Sequence, residues 1–157
     1  MAAGKHTVLS AGLVINAVLS ADEDIRSLIS DGEPADEVNS GLPDESGDEI
    51  DAHRLRLYPV ISQVEDRFPC IVYARESAES EPVKTGSPAR NVQMSVQVYS
   101  RDYAESVVLA ELVLDALDGR QYDDGVIRMY SCRLSDSLEA AFETGIYMQE
   151  LIFEIKI

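Results

Sequence analysis

The clearest pattern in the chain is a strict alternation of apolar and polar residues from Asn91 to Tyr99. Successive side chains of a β-strand point to opposite faces of the sheet, so this segment predicts a strand whose two faces differ. The apolar face suits the core, and it carries Val92, Met94, Val96 and Val98. The polar face suits water or a protein interface, and it carries Gln93, Ser95, Gln97 and Tyr99.

Ahead of this strand, a period of three to four residues predicts a unit of two short helices over residues 8–29. Thr7 is a suitable cap for the first helix. Ser20 and Glu23 have the spacing of a capping box, which predicts a bend and a fresh helix start near Ser20. Gly32 follows the second apolar stripe and predicts its end.

After the alternating strand, residues 102–118 predict one longer helix. Asp102 and Glu105 form a start similar to a capping box, and Gly119 supplies a stop. The predicted buried stripe consists of Tyr103, Val107, Ala110, Leu114 and Leu117. The predicted exposed acids are Glu111, Asp115 and Asp118.

Four further segments predict strands, and a loop separates two of the strands. Pro59 confines the first of these strands to an edge or an end, because proline cannot donate to a ladder. The second strand has apolar residues at odd and at even positions, so both of its faces are apolar, as expected for an interior strand. The predicted strands cover Leu55 to Val60, Cys70 to Tyr73, Val126 to Leu134 and Gly145 to Ile157, and the loop covers Ser77 to Arg90, with Lys84 and Arg90 as a local basic spot.

The order of these elements predicts an α+β fold: a single, mostly antiparallel sheet with an N-terminal helical unit and one long helix packed on one face. The chain has 157 residues, of which 45% are hydrophobic. This is enough for one domain with a packed core. The two cysteines, Cys70 and Cys132, lie in apolar strand segments and are expected to be buried, reduced thiols.

The acidic segment, Asp31 to Asp51, interrupts this pattern with nine acids and no Lys or Arg. It holds too few apolar residues to offset the entropy of ordering it, so it is expected to be a long surface loop. A calcium loop of the EF type fails on spacing, because Gly and Glu are missing from the sixth and twelfth places. The whole chain has a formal net charge of -16, which disfavours tight binding to nucleic acid.

No pattern of residues predicts catalysis or a metal or cofactor site. Motifs for a nucleophile elbow, a zinc protease, a dinucleotide or a phosphate loop are missing, so the chain is not expected to be an enzyme. His6 and His53 have no convincing partner and are expected at the surface. No apolar run is long enough for a membrane span, and residues 8–19 are interpreted as helix rather than signal peptide, which implies synthesis in the cytoplasm.

The order of the segments resembles the tail completion, or tail terminator, proteins of long-tailed bacteriophages. The resemblance runs from about Thr7 to Ile157 and depends on Leu57-Tyr58-Pro59, Pro69 to Tyr73, Val92 to Ser100, Tyr103-Ala104-Glu105, Leu114 to Gly119 and Glu143 to Tyr147. It implies a virion protein without catalytic activity. Such a protein forms a ring, typically of six copies, on the end of the finished tail tube and offers a surface to the head connector.

The resemblance also implies a single domain over residues 1–157, in which about residues 31–52 are an insertion. Its implied partners are further copies of itself, the tail tube protein and the head-tail connector or adaptor proteins. DNA passes only as cargo, and assembly takes place in the host cytoplasm. Two alternatives stay open: a head-to-tail adaptor or tube subunit, and an acidic binding module such as a DNA mimic or anti-repressor.

Two surfaces are candidates for these roles. DNA must slide through a tail channel, and an acidic wall would repel phosphate rather than retain it. The candidate lumen acids are Asp44, Asp48, Glu49, Glu111, Asp115 and Asp118. The candidate contacts to neighbouring subunits or tube protein are Gln93, Ser95, Gln97, Tyr99, Lys84 and Arg90.

Overall fold

The computed structural model describes residues 8–30, 55–60, 67–80 and 90–157. A 3-10 turn at Val8–Ser10 leads into the helices, which are α1 (Ala11–Ala21), α2 (Glu23–Ile29) and α3 (Tyr103–Leu117). The strands are β1 (Leu57–Pro59), β2 (Cys70–Ser80), β3 (Arg90–Ser100), β4 (Tyr122–Asp123), β5 (Arg128–Met129), β6 (Ser131–Phe142) and β7 (Ile146–Lys156). The predictions made for the acidic segment, His6, His53 and Lys84 lie outside the described residues.

The fold is α+β, as predicted, and its main sheet has five strands in the order β1-β2-β3-β7-β6. β1 is parallel to β2, and the other neighbouring strands are antiparallel. β4 and β5 pair as a separate two-stranded sheet, in which β5 lies within the strand predicted from Val126 to Leu134 and β4 was not predicted. The turn residue Gly125 has a positive φ of 85°, a conformation that favours glycine.

The three described helices lie on one face of the main sheet, which we call the helix-covered face. The predicted apolar side of β3 points to this face and is buried, with Val92, Met94, Val96 and Val98. Phe153 and Ile155 of β7 join the same core and are fully buried. Asn16 of α1 donates a hydrogen bond to the Tyr73 hydroxyl of β2 at 3.0 Å, which fixes α1 over the sheet.

The helical unit has the predicted bend, but the N-cap of α2 lies two residues later than predicted. Asp22, not Ser20, is the N-cap of α2, and its Oδ1 accepts a hydrogen bond from the Ile25 amide at 3.0 Å. Ser20 instead bonds back to the Ala17 carbonyl, at 3.4 Å. A carboxylate is a strong cap because it also interacts favourably with the positive end of the helix dipole.

The predicted length of α3 is confirmed, but its predicted buried stripe is rotated. Asp102 caps the helix by accepting from the Ala104 amide at 3.0 Å. Tyr103 is 47% exposed, and Leu114 is only partly buried. The residues that α3 buries are Ser106, Leu109, Ala110, Val113, Ala116 and Leu117. Apolar residues surround so much of α3 that either stripe could face the core, so periodicity alone did not determine which residues are buried.

Two strand boundaries also differ from the prediction. β2 continues to Ser80, into the segment that was predicted to be a loop from Ser77. The predicted strand from Val126 to Leu134 is divided into β5 and β6. Tyr130 lies between these two strands and belongs to neither. Asp136 and Leu134 flank a shift of register in β6, which lets that strand continue beside β7 to Phe142.

β1 is an edge strand, as predicted. Arg56, just before it, holds three parts of the chain together. Its Nε donates to the Pro69 carbonyl at 2.7 Å, and its Nη2 donates to the Leu28 carbonyl at 3.0 Å. The Arg56 amide also donates to the Ile29 carbonyl at 2.8 Å. The end of α2, β1 and the start of β2 are therefore tied together.

Candidate assembly surface

The face of the main sheet opposite the helices has no helix against it among the described residues, and we call it the open face. The register of β3, β7 and β6 decides which residues share it, because Gln97 lies beside Glu150 and Glu150 lies beside Leu138. Its central residues are Gln93, Ser95, Gln97 and Tyr99 of β3, Met148, Glu150 and Ile152 of β7, and Leu138, Ala140 and Phe142 of β6.

A chain of hydrogen bonds crosses the open face from β3 to β7. The Tyr99 hydroxyl donates to Gln97 Oε1 at 2.7 Å, and Gln97 Nε2 donates to Glu150 Oε2 at 2.7 Å. Ser95 Oγ donates to the same Glu150 oxygen at 2.9 Å. Burial, and after it the nearby Cys70 and Glu150, raises the pKa of the Tyr99 hydroxyl.

Apolar side chains surround this network. Leu138 and Phe142 are each 47% exposed, which is high for large apolar residues, and Phe142 stacks on Tyr99 with the ring centroids 6.4 Å apart. Ile152 is half-buried, and Met148 is buried. Exposed apolar residues that cluster on one surface often mark a site of protein interaction.

The residues predicted to contact neighbouring copies divide into three groups. Gln93, Ser95, Gln97 and Tyr99 lie together on the open face. Ser95 is only 4% exposed, and its hydroxyl donates a hydrogen bond to Glu150. By strand alternation Arg90 belongs to the helix-covered face, so it does not join the group. Lys84 lies outside the described residues.

The predicted lumen acids are also separated. Glu111 and Asp115 lie one turn apart on the exposed side of α3. Asp118 is exposed but has a structural role, because its Oδ1 accepts a hydrogen bond from the Leu134 amide at 2.9 Å and so links the end of α3 to β6. Asp44, Asp48 and Glu49 lie outside the described residues.

Sequence reasoning did not single out Glu150, Leu138 or Phe142 as site residues. The signal was present in the last strand, where Leu151 and Phe153 alternate with Glu150 and Ile152. Glu150 was overlooked because a charged residue opposite a core face is ordinarily solvated. Its burial depends on the neighbours that β3 and β6 bring to it, which one strand does not reveal.

β6 forms one edge of the main sheet, and among the described strands none pairs with its outer side. Residues 135–139 of β6 are all exposed. An exposed edge strand offers unpaired amides and carbonyls to another chain. The hairpin of β6 and β7 is linked to α3 through Glu139 of β6. Glu139 accepts hydrogen bonds from the Tyr103 hydroxyl of α3 and from Gln149 Nε2 of β7, both at 3.0 Å. These two bonds lower the pKa of the Glu139 carboxyl.

The described residues contain no group of three His, Cys, Asp or Glu side chains that could hold a metal ion. Cys70 and Cys132 are free and buried, as predicted, and burial raises the pKa of each thiol to about 12. They belong to β2 and β6, which β3 and β7 separate, so they cannot form a disulfide with each other. None of the described helices is long and apolar enough to cross a membrane.

Comparisons with known proteins give one family and one fold. A family model described as tail completion protein gp17 matches residues 56–140, slightly more than half of the chain. The structure is similar to a chain of a solved structure described as the virion of native gene transfer agent (GTA) particle. The similarity covers 96% of this chain and 97% of that chain, with a TM-score of 0.64 and 15% identity, and it shows a shared fold. Curated proteins give no match.

Proposed function

The chain belongs to the tail completion protein gp17 family of bacteriophage tail structural proteins, and from this membership we propose that it closes the tail tube as a ring of six copies. The ring ends polymerisation of the tube and provides the surface on which the head connector docks. Its partners are further copies of itself, the tail tube protein and the connector or adaptor proteins. It assembles in the host cytoplasm and stays in the neck of the virion.

The family match is the observation that carries the tail role. The matched residues 56–140 include β1, β2, β3, α3 and most of β6. Residues on either side of the match complete the same α+β domain, since α1, α2 and β7 contribute to one core. A single domain over residues 1–157, with an insertion at about residues 31–52, is therefore our proposal for the chain.

The open face supports the proposal that copies meet through the sheet. Exposed Leu138 and Phe142 would lose contact with water when a second copy covers them, and burying apolar area is the main driving force of association. The unpaired outer side of β6 adjoins this surface and offers main-chain hydrogen bonds to a neighbour. We place the contact between subunits here.

The lumen of the proposed ring is acidic. A net charge of -16 in each copy gives a wall that repels the phosphates of passing DNA. Glu111 and Asp115, exposed on α3, and Asp44, Asp48 and Glu49 of the acidic segment are our candidates for this wall. Asp118 stays a candidate in addition to its bond with Leu134. A basic or neutral lumen in the assembled ring would refute this arrangement.

Native mass spectrometry of the purified protein tests the ring. We expect a closed oligomer, and a monomer at every concentration would contradict the proposal. The double substitution Gln97→Lys, Tyr99→Lys should abolish the oligomer and leave a folded monomer, because it puts two cations into the surface we propose to be buried. The double substitution Leu13→Lys, Val108→Lys is the matched control, since it adds the same two cations at exposed positions of α1 and α3, away from the open face.

Addition of the protein to polymerising tube subunits tests the terminator role separately. A terminator gives shorter, capped tubes, whereas a tube subunit would extend them and an adaptor would leave their length unchanged. The Gln97→Lys, Tyr99→Lys protein should have no effect on tube length, because capping depends on the ring. Extended or unchanged tubes with the wild-type protein would contradict termination.

A further inference from the structure

Glu150 differs from the other carboxylates of the described residues in being almost completely buried without a cation beside it. It is 9% exposed, and its hydrogen-bond partners are the side chains of Ser95 and Gln97. Neither is charged. A buried carboxylate usually has a positively charged partner, because removing its charge from water costs several kcal/mol. The described part of the chain supplies no such partner.

The two oxygens of Glu150 have different surroundings. Both hydrogen bonds go to Oε2, so this oxygen is fixed against β3. No described residue donates to Oε1. Among the described side-chain nitrogen and oxygen atoms, only Asn91 Oδ1 is fully buried and has no hydrogen-bond partner. Glu150 Oε1 also has no partner, so it is not fully buried and retains some contact with water. The carboxylate is therefore held through Oε2, while Oε1 remains available as an acceptor.

The apolar residues around Glu150 would make a contact at Oε1 strong. Leu138 is the direct neighbour of Glu150 on β6, and Phe142 and Tyr99 stack nearby. A surface that covers Leu138 and Phe142 also excludes water from Oε1. An ion pair formed in such a place is desolvated and can contribute far more than an ion pair at an exposed rim.

We propose that Glu150 Oε1 accepts a charge-assisted hydrogen bond from an arginine of the neighbouring copy in the ring. The proposal rests on the proposed function, because it names a contact within that ring. Adjacent copies with a charge of -16 each repel one another, so an interface between them needs compensating cations. Arginine suits this position better than lysine, because its guanidinium is planar and more weakly hydrated.

The described residues offer two arginines for this role. In a ring, the surface that meets the open face is a different surface of the next copy. Arg75 and Arg120 are exposed, lie away from the open face, and have no side-chain partner among the described residues. Arg75 is on β2 and Arg120 follows α3. Arg133 is excluded because the register puts it on the open face itself, opposite Glu154.

Glu150→Gln tests the proposal with little change in shape. The glutamine keeps an oxygen that accepts from Ser95 and Gln97, but it puts an NH2 group, which cannot accept, where Oε1 was. Removing one partner of a desolvated pair should weaken association at least about 30-fold, measured as the concentration at which the ring dissociates. Glu154→Gln is the matched control, because Glu154 lies four residues away on the same strand and face but is exposed. It should change association less than about 5-fold.

Charge exchange identifies the donor. Glu150→Arg should abolish the ring, and adding Arg75→Glu or Arg120→Glu should restore it for the true partner. Restoration by neither, or equal association of Glu150→Gln and the wild type, would overturn the inference. These failures differ from failure of the proposed function, which would appear as a wild-type protein that forms no ring. A circular dichroism melt of each variant checks that the subunit is folded.

Discussion

The two faces of the main sheet use the same strands for different purposes. On β3, Val92, Met94, Val96 and Val98 point to the helix-covered face and are buried in the subunit's own core. The residues between them point to the open face, where they form a polar network with an apolar border. The helix-covered face is complete within one chain. The open face has exposed Leu138 and Phe142 and a carboxylate, Glu150, without a cationic partner among the described residues, and we propose that another chain covers it.

This difference separates residues that maintain the fold from residues available for assembly. A phage tail protein has to be soluble as a subunit and then bind permanently, so its assembly surface cannot be apolar throughout. The hydrogen-bonded network around Glu150 keeps the open face compatible with water. Substitutions on the helix-covered face should therefore lower stability, whereas those on the open face should mainly alter association.

The largest expected effect compares two neighbours on β7 that point to opposite faces. Phe153 is fully buried under the helices, whereas Ile152 is half-buried on the open face. Phe153→Ala should lower the free energy of unfolding by about 3–5 kcal/mol, because it removes a large side chain and leaves a cavity. Ile152→Ala should cost about 1 kcal/mol, since its site is already partly hydrated. Urea denaturation measures both, and equal losses would contradict the difference between the faces.

The two cysteines give the next largest effect, and they sharpen the comparison. Cys70 is on the open-face side of β2 and Cys132 on the helix-covered side of β6, yet both are fully buried and have pKa values near 12 instead of 9.0. The thiolate is the reactive form, so labelling at pH 8 should be at least about 100-fold slower than in the unfolded chain for both. Rapid labelling of Cys70 alone would mean that the open face is loosely packed there.

The same pKa shifts predict a dependence of stability on pH. In the unfolded chain each thiol ionises near its usual pKa of 9.0, whereas in the folded chain it ionises near 12. The stabilising contribution is therefore complete below pH 9 and is lost as the pH rises from about 9 to 12. Urea denaturation at pH 8 and pH 10 should show the loss, and the Cys70→Ala, Cys132→Ala protein should show a smaller one.

A smaller effect concerns the helix layer. Asp22→Ala should lower the free energy of unfolding by about 1 kcal/mol, because the cap of α2 loses its hydrogen bond to Ile25. Ser20→Ala is the control and should be nearly neutral, since Ser20 does not cap α2. Thermal denaturation of the two variants checks this. A larger loss of stability for Ser20→Ala than for Asp22→Ala would indicate that Ser20 caps α2, as the sequence predicted.

The smallest expected effect is on the open face. Gln93 is exposed and accepts one long hydrogen bond, 3.4 Å from Ser77 Oγ. Gln93→Ala should change the free energy of unfolding by less than about 0.5 kcal/mol, as is usual for surface positions. A loss above 1 kcal/mol in urea denaturation would show that this part of the open face contributes to the fold of the subunit itself.

Short-range patterns were enough to predict much of the fold. The alternation of β3 correctly separated its two faces, and the length of α3, the edge position of β1 and the α+β class were confirmed. The predicted stripe of α3 was wrong because apolar residues surround most of that helix, so the sheet beneath it decides which are buried. The cap at Asp22 was missed because Ser20 offered an equally good local pattern.

The candidate site was less predictable than the fold. The polar residues of β3 were found from one strand, but Glu150, Leu138 and Phe142 join them only through the register of β6 against β7 and of β7 against β3. That register includes a shift between Leu134 and Asp136, after which the parity of β6 changes. Sequence alternation within one strand contains no information about such a shift.

Hydroxyl-radical footprinting tests the central claim, that the open face is covered by another copy, most directly. Phe142 on the open face and Tyr103 at the start of α3 are both aromatic and are equally exposed in the subunit, at 47%. The wild-type protein is oxidised once as the assembled ring and once at a dilution at which it is single subunits. We predict that assembly protects Phe142 several-fold and leaves Tyr103 unchanged. Equal oxidation of Phe142 in both states, or protection of Tyr103 alone, would contradict the account.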